Sequence, residues 1–146
     1  MELSFITPED PRYEAELDLR FRVLRAPLGH ARADVPFPFE RESLHLIAHH
    51  GARLLGCVLF YPDSAQGGRL FQMAVEPELQ GQGVGRRLVR ALEAELMQRG
   101  LCEVYLHARA PVVPFYERLG YACHGERFLE VGIEHQEMRR TLSAAH

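Results

Sequence analysis

Residues 69–100 constrain the fold more than any other stretch. They read RLFQMAV, EPELQ, GQGVG and RRLVRALEAELMQRG in succession. Leu70, Phe71, Met73 and Val75 give the first piece the apolar and aromatic density of a strand. Pro77 ends it, because proline has no N–H to donate to a sheet ladder. Gly81, Gly83 and Gly85 then alternate with Gln82 and Val84. Val84, Leu88, Ala91, Leu92 and Leu96 fall on one helical stripe, and Gly100 supplies the stop. Strand, glycine turn and helix start together build an anion site. The first helical N–H groups lack intrahelical partners and carry the positive end of the dipole, and glycine lets the backbone before them approach a ligand. Arg86, Arg87 and Arg90 crowd the same end, where cations oppose the dipole unless an anion is bound. The competing reading is a surface loop followed by a solvated arginine face.

Two other phosphate loops do not fit. A dinucleotide fingerprint starting at Gly81 needs glycine where Arg86 stands, which disfavours a nucleotide-dependent oxidoreductase. A P-loop needs a Gly-Lys pair, and the chain has no lysine. Gln80, Gly83 and Gly85 do resemble the pyrophosphate motif [RQ]-x-x-G-x-[GA] of the GCN5-related N-acetyltransferases (GNAT). Just upstream, MAVEP is similar to that family's central strand with its V-x-P turn. Downstream, PFYERLGY at 114–121 resembles its FYExxGF segment. The resemblance covers residues 69–127.

At 146 residues the size prior gives a single domain, 1–146. Apolar types make up 47% of the chain, with eight Phe and five Tyr, enough for a sizeable core. Net charge is −3, from 17 basic and 20 acidic residues, so no basic excess points to nucleic acid. A mildly acidic surface is compatible with a cationic acceptor without demanding one. Cys57, Cys102 and Cys123 stand far apart in apolar, strand-like settings. They read as reduced core residues, and no spacing suggests a metal site. The N-terminus shows no signal-peptide pattern and no apolar run is long enough to span a bilayer, so the expected location is cytoplasmic, with no membrane partner.

In chain order, residues 2–7 alternate as a strand, and Asp10-Pro11 reads as a helix start before the stripe Tyr13, Leu17, Phe21 and Leu24. Residues 26–40 hold several prolines and the apolar Val35, Phe37 and Phe39, which suggests an ordered wall over a pocket. Residues 44–49 and 53–61 form a hairpin, and 62–68 turn the chain into the central strand. After the long helix come a strand at 102–107, a short helix at 111–119 and a last strand pair, 121–128 with 135–142, around Gly132. Residues 143–146 are expected to fray. The predicted class is mixed α/β. As the resemblance implies it, a GNAT-like, mostly antiparallel sheet of six to seven strands is splayed between the fourth and fifth strands and flanked by helices. The cofactor's pantetheine arm fills that splay.

The resemblance also implies functional roles. Met73, Ala74 and Val75 would meet pantetheine and the acetyl carbonyl through their backbone. Gln80, Gly81, Gln82, Gly83, Val84, Gly85 and Arg86 would surround the pyrophosphate. Tyr116 matches the tyrosine that can protonate a departing thiolate. Arg109 stands where many members carry an asparagine that contacts the cofactor. An amine is mostly protonated at neutral pH, so a base is needed. Candidates are Glu40, Glu42, His45 and His107, with Glu130 and His135 near the last strand. Residues 125–135 resemble a family subgroup with a G-E-x-F-x-E-x-G-I-x-H tail, placed here at the acceptor site. The expected activity is transfer of an acetyl group from acetyl-CoA to a primary amine by direct attack in a ternary complex, with no metal. The acceptor would be a small molecule or peptide, and a homodimer is possible in such a family. The alternative is a non-catalytic acyl-CoA-binding or sensing module.

Overall fold

The structure, a computed structural model, describes residues 1–143; the expected fraying at 144–146 falls outside the described residues. The strands are β1 (Glu2–Ile6), β2 (Leu44–His50), β3 (Arg53–Pro62), β4 (Gly67–Val75), β5 (Glu103–Arg109), β6 (Ala122–Glu130) and β7 (Ile133–Thr141). The α-helices are α1 (Tyr13–Arg20), α2 (Val84–Gln98) and α3 (Val113–Arg118). One seven-stranded sheet runs in the order β1-β2-β3-β4-β5-β7-β6. Its pairs are antiparallel except β4 with β5.

Both faces are covered. Leu46, Val58, Phe60 and Leu70 pack under α2 and α3, against Leu88, Leu92, Leu96 and Val113. The three leucines of α2 are fully buried, each worth about 1.5–3 kcal/mol by transfer. Ile47, Cys57, Leu59 and Phe71 pack on the other face with Leu19 of α1, Phe37 and Phe39. A bulge interrupts β4, where Leu59 opposes Phe71 but Cys57 opposes Ala74, and Gln72 sits at φ 53°. One extra residue exchanges the faces. Leu70 packs on the α2 side before the bulge, and Met73 and Val75 do so after it.

The splay lies where it was expected. β4 and β5 pair only at Gly67–Glu103, Gly68–Val104 and Arg69–Tyr105. Backbones there approach so closely that a Cβ on Gly67 would lie 1.7 Å from the Glu103 carbonyl oxygen. Beyond Arg69 the β4 edge has no ladder partner in β5, while β5 stays paired with β7 as far as Arg109–His135.

Three local expectations need correction. Helix α1 starts at Tyr13, not at Pro11, because Asp10 accepts the Arg12 N–H at 2.8 Å and closes a turn ahead of the helix. Its buried stripe is Glu16, Leu17, Leu19 and Arg20, after which the chain widens into a π-helical turn over Phe21–Arg25. Only Cys57 is a core cysteine; Cys102 is half-buried and Cys123, on the outermost strand, is exposed.

The polar half of that stripe forms a closed network. Arg20 donates to Glu16 Oε2 (2.9 Å), to both Glu40 oxygens (2.9 and 2.8 Å), to the Val35 carbonyl (3.2 Å) and to Gln72 Oε1 (3.1 Å). His45 faces Glu16 Oε2 through Nδ1 at 2.9 Å and the Glu40 carbonyl through Nε2 at 2.7 Å. Both partners accept only, so both ring nitrogens must donate and the imidazolium is the form that fits. Burial alone would lower the His45 pKa, but the Glu16 hydrogen bond and the charges of Glu16 and Glu40 outweigh it and raise the pKa. Burial would likewise raise Glu40, yet the Arg20 guanidinium holds its carboxyl below the usual range. Two cations and two anions therefore cancel in an enclosed space. Glu16, Glu40 and His45 offer ligand atoms within 4.8 Å of one another, but Arg20 already occupies the carboxylates. His45 and Glu40 are thus structural groups with no lone pair to offer an acceptor.

Arg20→Met should cost about 3–5 kcal/mol in denaturant unfolding, since it leaves two buried carboxylates without their cation. A raised histidine pKa stabilises the fold fully below the ordinary value of 6.5, and that stability is lost as pH rises through the folded value. Melting temperature should therefore fall across this window, and His45→Gln should flatten the fall; an unchanged slope would show that His45 is not charged in the fold.

Candidate active site

The splay opens a cavity of about 880 Å³ that reaches both faces of the sheet. One wall is the strand–turn–helix unit. Gly81 and Gly83 stand at φ 83° and 89°, and a Cβ on either would meet nothing within 4 Å. The constraint is backbone conformation, which L side chains rarely adopt. Within the turn, Gln80 N–H donates to Pro77, Gln82 N–H to Leu79 and Arg87 N–H to Gly83. The N–H groups of Gly81, Gly83, Val84, Gly85 and Arg86 have no partner among the described residues. Five free donors at the start of a 15-residue helix stand where the sequence places an anion cradle. The amides of Gln80 and Gln82 are not part of it. Their side chains brace the turn instead, Gln80 on the Val75 carbonyl (3.1 Å) and Gln82 on the Glu78 carbonyl (3.1 Å).

Tyr116 of α3 lines the cavity from the same face. Its ring is 6% exposed and packs edge-on against Phe115 (4.9 Å) and Tyr121 (5.8 Å). The hydroxyl makes no hydrogen bond with any described residue, and burial raises its pKa, so it stays a neutral donor. Gly85 is tied to this arrangement, since a Cβ there would lie 3.2 Å from Phe115 Cζ.

On the α1 face, His107, Arg109, Glu130 and His135 come together. Arg109 opposes His135 across β5–β7, which sets both side chains on one face. His107 Nδ1 donates to Glu130 Oε1 at 3.0 Å, leaving Nε2 without a partner among the described residues. His135 Nδ1 donates to the Ile133 carbonyl at 2.8 Å, and its Nε2 lies 3.6 Å from Glu130 Oε2. Burial would raise the Glu130 pKa, but the His107 hydrogen bond and the charges of Arg69, His107 and His135 lower it, so the carboxylate persists. Arg109 is tethered to the Leu24 carbonyl at 3.0 Å.

The cavity thus gathers Met73, Val75, Gln80, Gly81, Gly83, Val84, Gly85, Arg86, His107, Arg109, Tyr116, Glu130 and His135. Ala74 is buried on the α1 side of β4, and the Gln82 side chain points back along its own turn. Glu42 is exposed beside a separate depression near Pro36 and Pro38 and does not line the cavity, and neither does the enclosed His45. Sequence reading did not single out Arg25, Arg69 and Gln72, which also line the wall. Arg25 ends an unexpected π-helical turn and Gln72 marks an unexpected bulge, so neither had a periodic signal. Phe37 was anticipated as part of the proline-rich wall.

The cavity fits an acyl-CoA thioester on its own geometry: free amides for a diphosphate, an unpaired strand edge for an amide-bearing arm, and an unbonded phenol beyond. Titration with CoA should show Gly83→Ala weakening binding about tenfold, because a left-handed alanine costs about 1–2 kcal/mol in the turn. Unchanged affinity would detach the turn from the diphosphate.

A family model for an acetyltransferase (GNAT) domain matches residues 31–142. The histone acetyltransferase TAP1 of Glycine max is 33% identical over 109 residues, which cover 70% of this chain but 47% of that protein. An acyl-CoA N-acyltransferase from Pseudomonas aeruginosa superposes with a TM-score of 0.80 at 25% identity, covering 96% of this chain and 99% of that one. An aminoglycoside 6'-N-acetyltransferase solved with coenzyme A superposes equally well, with a TM-score of 0.80 at 21% identity, over 97% of each chain. No helix among the described residues is long and apolar enough to cross a membrane. With the splayed sheet, the free-amide turn and the family match in agreement, the chain belongs to the GNAT family of acyl-CoA-dependent N-acetyltransferases.

Proposed function

We propose that the chain transfers an acetyl group from acetyl-CoA directly to a primary amine, with Tyr116 as the acid and His107, held by Glu130, as the base. The observation that carries this reading is the disposition of unbonded polar groups across the splay. Tyr116 presents a free hydroxyl from the α3 side, and His107 presents a free Nε2 from the α1 side of one cavity. Acetyl-CoA, when bound, supplies a thioester whose carbonyl carbon the amine attacks and whose sulfur leaves as a thiolate. Tyr116, kept neutral by burial, donates its proton at that sulfur. The Glu130 carboxylate accepts the Nδ1 proton of His107, which fixes the tautomer whose Nε2 takes the amine proton. This is the orienting logic of a carboxylate behind an imidazole. The free amides of the turn hold the diphosphate and so set the depth of the thioester. A sensing module would need neither the phenol nor the oriented imidazole.

Tyr116→Phe should lower kcat about 10²–10⁴-fold with CoA affinity unchanged, read as free thiol released with a panel of amines. Turnover equal to wild type would remove the acid. His107→Gln should lower kcat/KM about 10²–10⁴-fold, while His45→Gln leaves it within a few-fold where the variant folds. If His107→Gln keeps wild-type kcat/KM, the base is another group.

A further inference from the structure

The α1 end of the cavity holds more positive charge than its protein neighbours balance. Arg25, Arg69 and Arg109 line it, and Glu130 is the one carboxylate in the lining. Glu16 and Glu40 on that face are taken by Arg20 and His45, and Asp34, outside the lining, acts on Arg25 only through its charge, with no ion pair among the described residues. The Nε atoms of Arg25 and Arg69 are buried with no hydrogen-bond partner. The Arg25 side chain makes no hydrogen bond or ion pair with any described residue, and Arg69 reaches Glu130 only at 3.7 Å. Aromatic rings back both guanidiniums, with Arg25 over Phe37 at 5.5 Å and Arg69 over Phe71 at 5.8 Å. Such stacking holds a guanidinium flat and leaves its donor edge free. Burial, with repulsion from Arg109 and Arg20, lowers the Arg25 pKa despite relief from Glu130 and Asp34.

The diphosphate of CoA does not answer this charge. Its cradle follows the C-terminal end of β4, and Arg69 lies six residues earlier, roughly 20 Å along the strand. Arg69 also shares the α1 face with Phe71, opposite the face that carries α2. The Nε atoms are enclosed, but both arginines are only half-buried, so it is their Nη donors that a ligand in the cavity can reach, and an acceptor group there would satisfy them.

We propose that the acceptor is a small amine bearing an anionic oxygen group, a carboxylate or a phosphate, which Arg25 and Arg69 bind while His107 faces the amine. This rests on the acetyl-transfer reading above. It inverts what net charge suggests, because a chain at −3 overall carries a cationic acceptor pocket.

The test is a titration that does not depend on turnover. N-acetylglycine, its neutral amide and the N-acetyl derivative of 2-aminoethyl phosphate are titrated into the enzyme–CoA complex. At least one anionic probe should bind at least about tenfold more tightly than the amide, and the preferred one distinguishes carboxylate from phosphate. Arg25→Gln and Arg69→Gln should each collapse that gap with CoA affinity retained. Arg25→Lys, which restores charge without the planar fork, should recover part of it. The proposal is overturned if the amide binds as well as both anions, if no anionic probe binds, or if the gap survives both glutamine substitutions. Failure of the acetyl-transfer reading would look different, as CoA binding without thiol release for any amine.

Discussion

The parting of β4 from β5 is the constraint on which the rest depends. A sheet that stayed paired along its length would bury the β4 edge and separate the two faces completely. Here pairing covers only three residue pairs, at the end where Gly67 permits close approach, and each strand then follows its antiparallel neighbour. In the gap, groups from α3 and from the α1 face share a volume. Chemistry across it can use an acid from one side and a base from the other without either crossing the core. The unpaired edge would be a liability on a bare surface, and it is tolerable because a ligand with its own amides can complete it.

The buried charge network holds the α1 side of this gap in place. Arg20 is anchored by Glu16 and Glu40, and its remaining donor reaches Gln72 at the bulge. Gln72 at φ 53° is strained for a residue with a side chain, and such conformations persist only where surrounding contacts enforce them. The bulge in turn decides which β4 side chains face the cofactor. Thus a charge-neutral cluster with no access to substrate sets the geometry of groups that have it. On the opposite face Glu93 plays a similar part, accepting from Tyr121, Arg90 and Arg140 and so tying β7 to α2 behind Tyr116.

What was legible in the sequence follows from how local its causes are. The Pro77 stop, the alternating glycines and the stripe of α2 act within a few residues, and the glycine turn with its free N–H groups, the helix and the order of elements lie where the sequence puts them. The pairing of His107 with Glu130 joins residues 23 apart, so both were candidates without a visible reason to meet. His45 shows the limit most clearly. A histidine in a strand reads as a possible base, yet Glu16, 29 residues earlier on a helix, turns it into a fixed cation. The α1 stripe was misjudged for the same reason, since periodicity counts apolar residues and this helix buries Glu16 and Arg20. Arg25 had no signal at all, because its position depends on a π-helical turn that α-helical spacing does not anticipate.

The placement of charge bears on how an amine becomes a nucleophile. Bringing an ammonium beside Arg25, Arg69 and Arg109 disfavours its charged form, because like charges in a partly desolvated site lower an amine's pKa. A pocket of this kind would repel a plain alkylammonium, and an anionic group on the same molecule removes that penalty by pairing with the guanidiniums. Binding energy from the remote anion would then hold the amine near His107, and on the reading proposed above the imidazole, not the arginines, removes its proton. Glu130 keeps the arrangement from excess, since its carboxylate offsets one arginine and orients the His107 imidazole proposed as the base. Recognition of the acceptor would thus fall to the arginines and its deprotonation to the imidazole, and a substrate lacking the anion would be disfavoured at the binding step.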